Sequence, residues 1–305
     1  MLINSALDLI GNTPMVKLNS INTYGNNIYL KLEGFNPSRS TKDRIVLAMI
    51  EKAEQDKKLD KDTVVIESTS GNTGISLAMV CAIKGYKLKI VMPDNMSKER
   101  MQLMRAYGAE VVLTDGKLGM KGCVEKMEEL KKSIPKHFVP DQFTNEMNPR
   151  AHYENTAEEI IKDLNGKVDY FICGTGTGGS FSGTSKKLRE KIPGVKTMPV
   201  EPEDSPLLSK GYTGPHKIQG MGMSLGKVPD VYNKDVVTDI LTANYDKSID
   251  YVRLLATKEG VLVGISTGAV LSAAIEVAKE NENKNLNIVV LSTDSGEKYL
   301  SNNIF

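Results

Sequence analysis

The sequence predicts an α/β protein in which parallel sheets are covered by helices. Short runs rich in valine and isoleucine alternate with longer segments of helical periodicity. The short runs are apolar on both faces, which is typical of strands in a parallel sheet with helices on both sides. The predicted strands are 28–32, 64–67, 88–92, 110–113, 170–173, 197–201 and 288–291. The predicted helices are 42–57, 74–84, 97–107, 121–133, 150–163, 180–191, 249–259 and 268–280.

Chain length and local signals predict how these elements are grouped. With 305 residues, the chain is long enough for about two domains of ~150 residues each. The polar, proline-containing stretch 141–149 indicates a domain boundary. Ser97 and Gly108 flank one predicted helix, and they are favoured residues for an N-cap and for the position after a helix end.

Composition and charge exclude several classes of function. The net charge of +1 provides no strong field that would attract nucleic acid or an acidic membrane. The cysteines and histidines lack the spacing of metal ligands, so we expect no metal site. No apolar run approaches the ~20 residues of a membrane-spanning helix, and the N-terminus does not resemble a signal peptide. We therefore expect a soluble cytoplasmic protein.

The segment 173–181 (CGTGTGGSF) is predicted to connect a strand to a helix. Its glycines let the backbone approach an anion, and the helix N-terminus offers free N–H groups. The segment therefore predicts a phosphate site, and the alternative is a glycine-rich turn without a ligand. The glycines are Gly174, Gly176, Gly178 and Gly179, and the hydroxyl donors are Thr175, Thr177 and Ser180.

The same segment also fits the fingerprint of a dinucleotide-binding fold. Gly174, Gly176 and Gly179 match G-x-G-x-x-G, and Glu201 ends the next predicted strand, where such a fold places its acidic residue. A nicotinamide-dependent oxidoreductase is therefore an alternative from another class. That fingerprint normally opens its domain, however, and it leaves two further loops unexplained.

The segment 68–75 (STSGNTGI) again connects a predicted strand to a helix, and this helix is apolar all round. By the same physics it predicts a second anion site, with side-chain donors from Thr69, Ser70, Asn72 and Thr73. The alternative is a simple N-cap turn, since serine, threonine and asparagine are favoured caps. Two anion sites suggest a ligand with two anionic ends, such as a phosphate and a carboxylate.

Lys42 lies in the first turn of a predicted helix within NPSRSTKDR. The helix dipole and the neighbouring Arg39 and Arg44 favour the neutral amine that a Schiff base requires, whereas Asp43 has the opposite effect. The alternative is an ordinary solvated lysine. A nucleophilic lysine, a phosphate site and a carboxylate site are together the parts of an enzyme that joins pyridoxal phosphate to an amino acid.

These loops belong to a series of motifs spread along nearly the whole chain. The motifs are IGNTPMVKL (10–18), NPSRSTKDR (36–44), ESTSGNTGISLA (67–78), MSKERMQLMRAYGAEVVLT (96–114), DQFTN (141–145), GTGTGGS (174–180), VEPEDSP (200–206), GPHKIQGMG (214–222), GISTGA (264–269) and DSGEKYLS (294–301). In this order they resemble the cysteine synthase (O-acetylserine sulfhydrylase) family of fold-type II pyridoxal-phosphate enzymes. Cystathionine β-synthases share most of them, so the resemblance specifies the chemistry better than the substrate.

The resemblance implies two α/β domains with pyridoxal 5′-phosphate in the cleft between them. Residues 40–145 would form a smaller domain with a mobile substrate loop, and residues 1–39 and 146–305 a larger cofactor-binding domain. Lys42 would bind the cofactor as a Schiff base and shuttle the α-proton. The phosphate would be held by Gly174, Thr175, Gly176, Thr177 and Gly178. The substrate carboxylate would be bound by Thr69, Ser70, Thr73 and Gln142, the ring hydroxyl by Asn72, and the rest of the substrate by Gly220 and Met221.

By the same resemblance, Ser266 would face the pyridine nitrogen. A neutral hydroxyl does not enforce a protonated ring nitrogen, so the ring is a weaker electron sink. Loss of a β-substituent to give an aminoacrylate is then favoured over transamination. From the residues alone, Ser266 could instead be the N-cap of the following helix.

The stretch 220–231 (GMGMSLGKVPDV) departs from the family pattern. It is slightly longer, lacks an aromatic residue and adds Ser224, Lys227 and Asp230. If it borders the β-carbon, the pocket for the incoming nucleophile is altered, and Asp230 with help from Ser70 could act as a base toward water. The alternative is a lengthened surface turn, which Gly226 and Pro229 would suit.

We therefore expect a β-replacement enzyme, and first a cysteine synthase that converts O-acetylserine and sulfide into cysteine and acetate. The nearest alternative takes cysteine as donor, releases hydrogen sulfide and adds water or a thiol, which gives serine or a thioether amino acid. The oxidoreductase and a non-catalytic binding protein are the alternatives from other classes. The resemblance also implies a homodimer and suggests the C-terminal tail of a serine acetyltransferase as a partner.

Overall fold

The computed structural model describes residues 2–223 and 226–305, except for the side chain of Met120. The strands are β1 (Met15–Lys17), β2 (Asn27–Leu32), β3 (Val64–Ser68), β4 (Lys87–Pro93), β5 (Glu110–Thr114), β6 (His137–Phe138), β7 (Tyr170–Gly174), β8 (Lys196–Pro202), β9 (Leu241–Ala243) and β10 (Asn287–Ser292). The α-helices are α1 (Lys42–Gln55), α2 (Asn72–Lys84), α3 (Lys98–Ala106), α4 (Gly119–Ser133), α5 (Met147–Ala151), α6 (Ala157–Asp163), α7 (Gly179–Lys191), α8 (Leu207–Lys210), α9 (Tyr245–Leu254) and α10 (Ile265–Glu280).

The chain divides into two compact units. The first consists of the segment up to Ile10 together with Lys42–Met147, and the second consists of Gly11–Thr41 and Asn148–Phe305. The sheet of the first unit has the order β5-β4-β3-β6, and all its strand pairs are parallel. The sheet of the second unit has the order β1-β2-β10-β7-β8-β9. It is parallel except for β1, which runs antiparallel to β2 at one edge. The predicted α/β fold with two parallel sheets is thus confirmed.

Both faces of the second sheet are covered. Along β7, Ile172 packs into a core cluster with Val270 of α10, whereas Phe171 packs with Phe181 and Leu188 of α7. Apolar side chains on both faces explain why this strand reads as a continuous apolar run. In the first unit, α2 is buried from Thr73 to Cys81, as expected for a helix that is apolar all round.

The predicted strands are all present, and most helix boundaries shift by a few residues. Ser97 caps α3 by accepting a hydrogen bond from the Arg100 N–H, and Gly108 follows the helix in the left-handed conformation. The predicted helix 150–163 begins earlier, at Met147, and contains a π-helical turn at His152–Thr156. The predicted helices 249–259 and 268–280 also begin earlier, at the start of α9 and α10, and a π-helical turn follows α9.

Candidate functional site

The glycine loop of the second unit leads from β7 directly into α7. Gly178 is the residue before the helix and has φ +85°. A Cβ atom at this position would also lie 2.7 Å from Cδ2 of Tyr232, so both conformation and space require glycine. Within the described chain, the backbone N–H groups of Gly176 and Thr177 and that of Gly178 make no hydrogen bond. These donors at the N-terminus of a 13-residue helix fit a phosphate group.

Two residues outside the loop hold its hydroxyl groups in place. The Asn148 side-chain amide donates a hydrogen bond to Thr177 Oγ1 at 3.1 Å. His152, which is completely buried in the π-helical turn, has Nε2 2.9 Å from Ser180 Oγ and Nδ1 2.9 Å from Thr156 Oγ1. Sequence reasoning did not single out Asn148 or His152. A polar residue in a predicted helix gives no sign that it faces a loop so distant in sequence.

The structure brings Gly220 and Met221 against the same glycine loop. The Gly222 N–H donates to the carbonyl of Thr175 at 2.8 Å. A Cβ atom at Gly174 would lie 3.0 Å from Met221 Sδ, and one at Gly176 would lie 3.0 Å from the Gly220 carbonyl oxygen. The start of the 220–231 segment, which departs from the family pattern, therefore packs on the candidate phosphate site.

The residues that follow this segment contact the glycine loop and α7. The ring of Tyr232 covers Gly178 and stacks on Phe181, with ring centroids 6.1 Å apart. The next residue, Asn233, donates its backbone N–H to Ser182 Oγ at 2.8 Å. Burial raises the pKa of Tyr232 to about 12, so its phenol stays protonated. The segment is therefore held at both ends.

Between these anchors the described residues form turns. Gly226 has φ +70° and donates to the Met223 carbonyl, and the Pro229 carbonyl accepts from Tyr232, so the expected turn residues do lie in turns. Asp230 is exposed on the second turn. Ser224, which the sequence also singled out, lies outside the described residues.

Ser266 occupies the second position of α10, and Gly264 is the N-cap. The interpretation of Ser266 as an N-cap is therefore wrong, because the helix begins earlier than expected. Its buried hydroxyl lies 2.8 Å from Thr293 Oγ1, just after the end of β10. The Thr293 carbonyl accepts the N–H of Thr41 at 2.8 Å. Thr41 is the residue before Lys42, so this hydrogen bond fixes the backbone immediately before the lysine.

Lys42 is the first residue of α1 and is half-buried. The neighbouring Asp43 is buried and accepts a hydrogen bond from Ser76 Oγ of α2 at 2.5 Å. Arg44 is buried and Arg39 is exposed. The carboxylate next to the lysine therefore ties α1 to α2 inside the first unit.

The other predicted donors lie in or beside the loop between β3 and α2. Gly71 is the N-cap of α2, and no side chain caps this helix end, so the N-cap interpretation of the loop is wrong. Thr73 Oγ1 donates to Gln142 Oε1 at 2.7 Å, which joins two residues predicted to bind the same carboxylate. In the described part of the chain, the N–H groups of Ser70 and Thr73 and the buried hydroxyl of Ser68 have no hydrogen-bond partner. Thr69 Oγ1 accepts from the Gly71 N–H, and Asn72 begins the helix. This donor set fits a carboxylate.

Glu201 does not have the environment that a dinucleotide site needs. Its carboxylate is buried and accepts the backbone N–H groups of Leu208 at 2.7 Å and Ser209 at 2.9 Å, at the start of α8. Because both oxygens are engaged with the chain, Glu201 is structural.

The remaining classes of site are a metal centre and a membrane-spanning helix. Over residues 2–223 and 226–305, no group of three or more histidine, cysteine, aspartate or glutamate side chains is arranged to hold a metal ion. Among the helices that the structure describes, none combines the length and apolarity needed to cross a membrane.

Comparisons with known proteins agree with this geometry. Residues 6–294 match the family model described as pyridoxal-phosphate dependent enzyme. A cysteine synthase from Staphylococcus aureus is 44% identical over 305 residues, which cover 99% of this chain and 97% of that protein. The resemblance to cysteine synthases is thus confirmed.

Solved structures extend the similarity to the fold. A hydrogen sulfide-producing enzyme from Fusobacterium nucleatum is 69% identical, with a TM-score of 0.97 and coverage of 98% of this chain and 99% of that chain. A cysteine synthase from Entamoeba histolytica is 39% identical, with a TM-score of 0.95 and coverage of 100% and 91%. The family match overturns the nicotinamide oxidoreductase alternative. The chain belongs to the family of pyridoxal-phosphate dependent enzymes, and its cofactor is pyridoxal 5′-phosphate.

Proposed function

We propose that this enzyme takes cysteine as its donor, replaces the thiol at the β-carbon and releases hydrogen sulfide. The observation that carries the proposal is the 69% identity, over 98% of the chain, to a hydrogen sulfide-producing enzyme. The second candidate is cysteine synthesis, which is supported by the 44% identity to a cysteine synthase. Both reactions are β-replacements, and they differ in the group that leaves and the group that enters.

We assign the cofactor to Lys42, Asn72, Ser266 and the glycine loop. Bound pyridoxal phosphate supplies the electron sink for breaking bonds at the α-carbon. Lys42 would carry it and move the α-proton, and the glycine loop from Gly174 to Gly178 would hold its phosphate. The open N–H groups of that loop and its position at a helix N-terminus support this assignment. Asn72 would contact the ring hydroxyl. Ser266 would face the ring nitrogen with a neutral hydroxyl, which favours loss of a β-substituent.

We assign the substrate carboxylate to the loop between β3 and α2. Thr69, Ser70 and Thr73 offer hydroxyl and backbone donors there, and Gln142 is already joined to Thr73. A carboxylate bound by several fixed donors would orient the amino acid so that its leaving group has one defined direction. Gly220 and Met221 would bind the remainder of the substrate.

The choice of incoming nucleophile depends on whether a base is available near the β-carbon. Sulfide needs little base catalysis near neutral pH, whereas water needs a positioned base. Asp230, assisted by Ser70, is our candidate base for water. Its exposure in the described turn means that it would have to be covered by substrate or by movement of the segment before acting.

The larger assembly is also a proposal. Division into a domain of residues 40–145 and a cofactor-binding domain, a homodimer, and binding of a serine acetyltransferase tail are each supported by the family resemblance. Location in the cytoplasm is proposed on the same ground.

Product analysis tests the proposed reaction. The purified holoenzyme is incubated with L-cysteine in ¹⁸O-labelled water, and sulfide and amino-acid products are quantified. We expect sulfide together with labelled serine or with a thioether amino acid. A parallel incubation with O-acetylserine and sulfide measures the synthase reaction. Cysteine formation in the second incubation without sulfide release in the first would overturn the proposal.

A further inference from the structure

Glu67 has a buried carboxyl group that joins two loops of the first unit. It lies in β3, opposite Ile90 of β4, and only 4% of its surface is exposed. One carboxyl oxygen accepts the N–H of Ser68 at 3.0 Å, and the other accepts the N–H of Asp141 at 3.0 Å. Ser68 opens the loop that leads to Thr73, and Asp141 precedes Gln142 in the chain.

The second loop is shaped around this contact. Asp141 has φ +47°, a conformation that residues other than glycine rarely adopt. Its own carboxylate accepts the Phe143 N–H at 3.2 Å and the Thr144 hydroxyl at 2.7 Å, which closes a tight turn. The turn places the Asp141 N–H on Glu67 and the Gln142 side chain on Thr73. The two loops are therefore tied together at two points.

Burial of this carboxyl group requires compensation. The pKa of Glu67 is raised to about 8, because burial and the nearby Asp141 carboxylate, which raise it, outweigh the two N–H donors, which lower it. Among the described residues, Glu67 forms no ion pair. Burying a carboxyl group without a cation costs free energy, and the two hydrogen bonds from backbone N–H groups offset part of that cost. An aliphatic side chain would fill the space but could not accept either N–H.

We propose that Glu67 is a positioning residue for substrate binding, which sets the distance between the Ser68–Thr73 loop and Gln142 and thereby the spacing of the donors for the amino-acid carboxylate. This inference rests on the proposed function, because it assumes that these donors bind that carboxylate. Glu67 acts through the two loops and does not touch the substrate.

A binding experiment with paired ligands isolates the effect. The holoenzyme is titrated with L-cysteine and with cysteamine, which has the same thiol and amine but no carboxylate, and the absorbance of the bound cofactor reports binding. Glu67→Gln keeps the shape and one acceptor oxygen but presents an amide N–H to the second backbone N–H. We expect the preference for L-cysteine over cysteamine to fall about tenfold, as for loss of one hydrogen bond.

Two further variants separate positioning from a general loss of structure. Gln142→Ala should lower the same preference, and Glu67→Gln should cost less than about twofold more in that background, since both changes act on one unit. Glu54→Gln is the matched control, because Glu54 is a carboxylate of the same unit that accepts from Tyr86 and Lys84 at the far end of α1. It should leave both affinities unchanged.

The outcomes distinguish this inference from the function on which it rests. If Gln142→Ala weakens cysteine binding and Glu67→Gln does not, or if their effects add, the positioning role is wrong and the proposed site stands. If neither Gln142→Ala nor Thr73→Ala changes the preference, the carboxylate assignment is wrong and the inference falls with it. Hydrogen exchange of segments 64–73 and 139–146 in the wild-type holoenzyme is the second measurement, and fast exchange of the Ser68 and Asp141 amides would also overturn the inference.

Discussion

The hydroxyl groups of Ser266 and Thr293 lie 2.8 Å apart, and the carbonyl of the same Thr293 accepts the N–H of Thr41. One residue therefore fixes both the candidate partner of the pyridine nitrogen and the chain just before Lys42. Ser266 has a single hydroxyl proton, which in the proposed site would be directed either to Thr293 or to the ring nitrogen.

Replacing Thr293 with valine tests this relationship. The variant keeps the backbone carbonyl and removes only the hydroxyl partner of Ser266. We expect the cofactor to remain bound and its absorbance maximum to shift as in Ser266→Ala. Sulfide release should fall by about three- to tenfold, as for loss of one hydrogen bond. The double variant should resemble Ser266→Ala alone, and additive losses would show that Thr293 acts elsewhere.

Substitutions in the glycine loop should affect cofactor binding, and substitutions in the loop between β3 and α2 should affect substrate binding. Gly178→Asp forces a side chain against Tyr232 and adds negative charge at the candidate phosphate site, so cofactor affinity should fall about tenfold or more. Thr73→Ala should retain the cofactor and weaken binding of L-cysteine. Cofactor content by absorbance and cysteine titration distinguish the two effects.

Gly211→Asp is the matched control for backbone strain. Gly211 also has positive φ, +78°, but a Cβ atom there would meet no atom within 4 Å. This variant should lose stability without losing cofactor affinity. Equal cofactor loss in Gly178→Asp and Thr73→Ala would contradict the assignment of two separate sites.

Much of the fold could be predicted, because long strands and helices have clear periodicity. The strands that the sequence did not reveal are β1, β6 and β9, which have only two or three residues each and show no period. The glycine loop was recognisable because its residues are consecutive. Glu67 and Tyr232 were not, since their roles depend on contacts with chain segments distant in sequence; the Glu67 partner Asp141 is 74 residues away.

Asp230→Asn tests the candidate base for water. If Asp230 activates water, the variant should still release sulfide from L-cysteine at first, whereas serine formation should slow by about 10²–10⁴-fold. Rapid-mixing absorbance and product analysis measure the two steps. Asp235→Asn, at an exposed carboxylate shortly after the segment, is the control. Unchanged serine formation in Asp230→Asn would contradict a role as the base and favour the alternative, in which residues 221–230 form a surface turn.

The raised pKa of Glu67 predicts a pH dependence of stability. Between its ordinary pKa of 4.5 and about 8, the folded protein binds more protons at this group than the unfolded chain. The stabilisation is complete below the lower value and is lost as the pH rises through the higher one. Glu67→Gln lacks this slope, so its melting temperature relative to wild type should increase from pH 5 to pH 8.5. A constant difference across this range would show that Glu67 does not titrate there.

The direction in which the sulfide concentration changes when both donors are present tests the proposed reaction. The holoenzyme is mixed with equal concentrations of L-cysteine and O-acetylserine and a small amount of sulfide, and dissolved sulfide is followed with an electrode. If cysteine is the preferred donor, sulfide rises from the start of the reaction. If sulfide falls while cysteine accumulates, the enzyme is a cysteine synthase and the proposed reaction is contradicted.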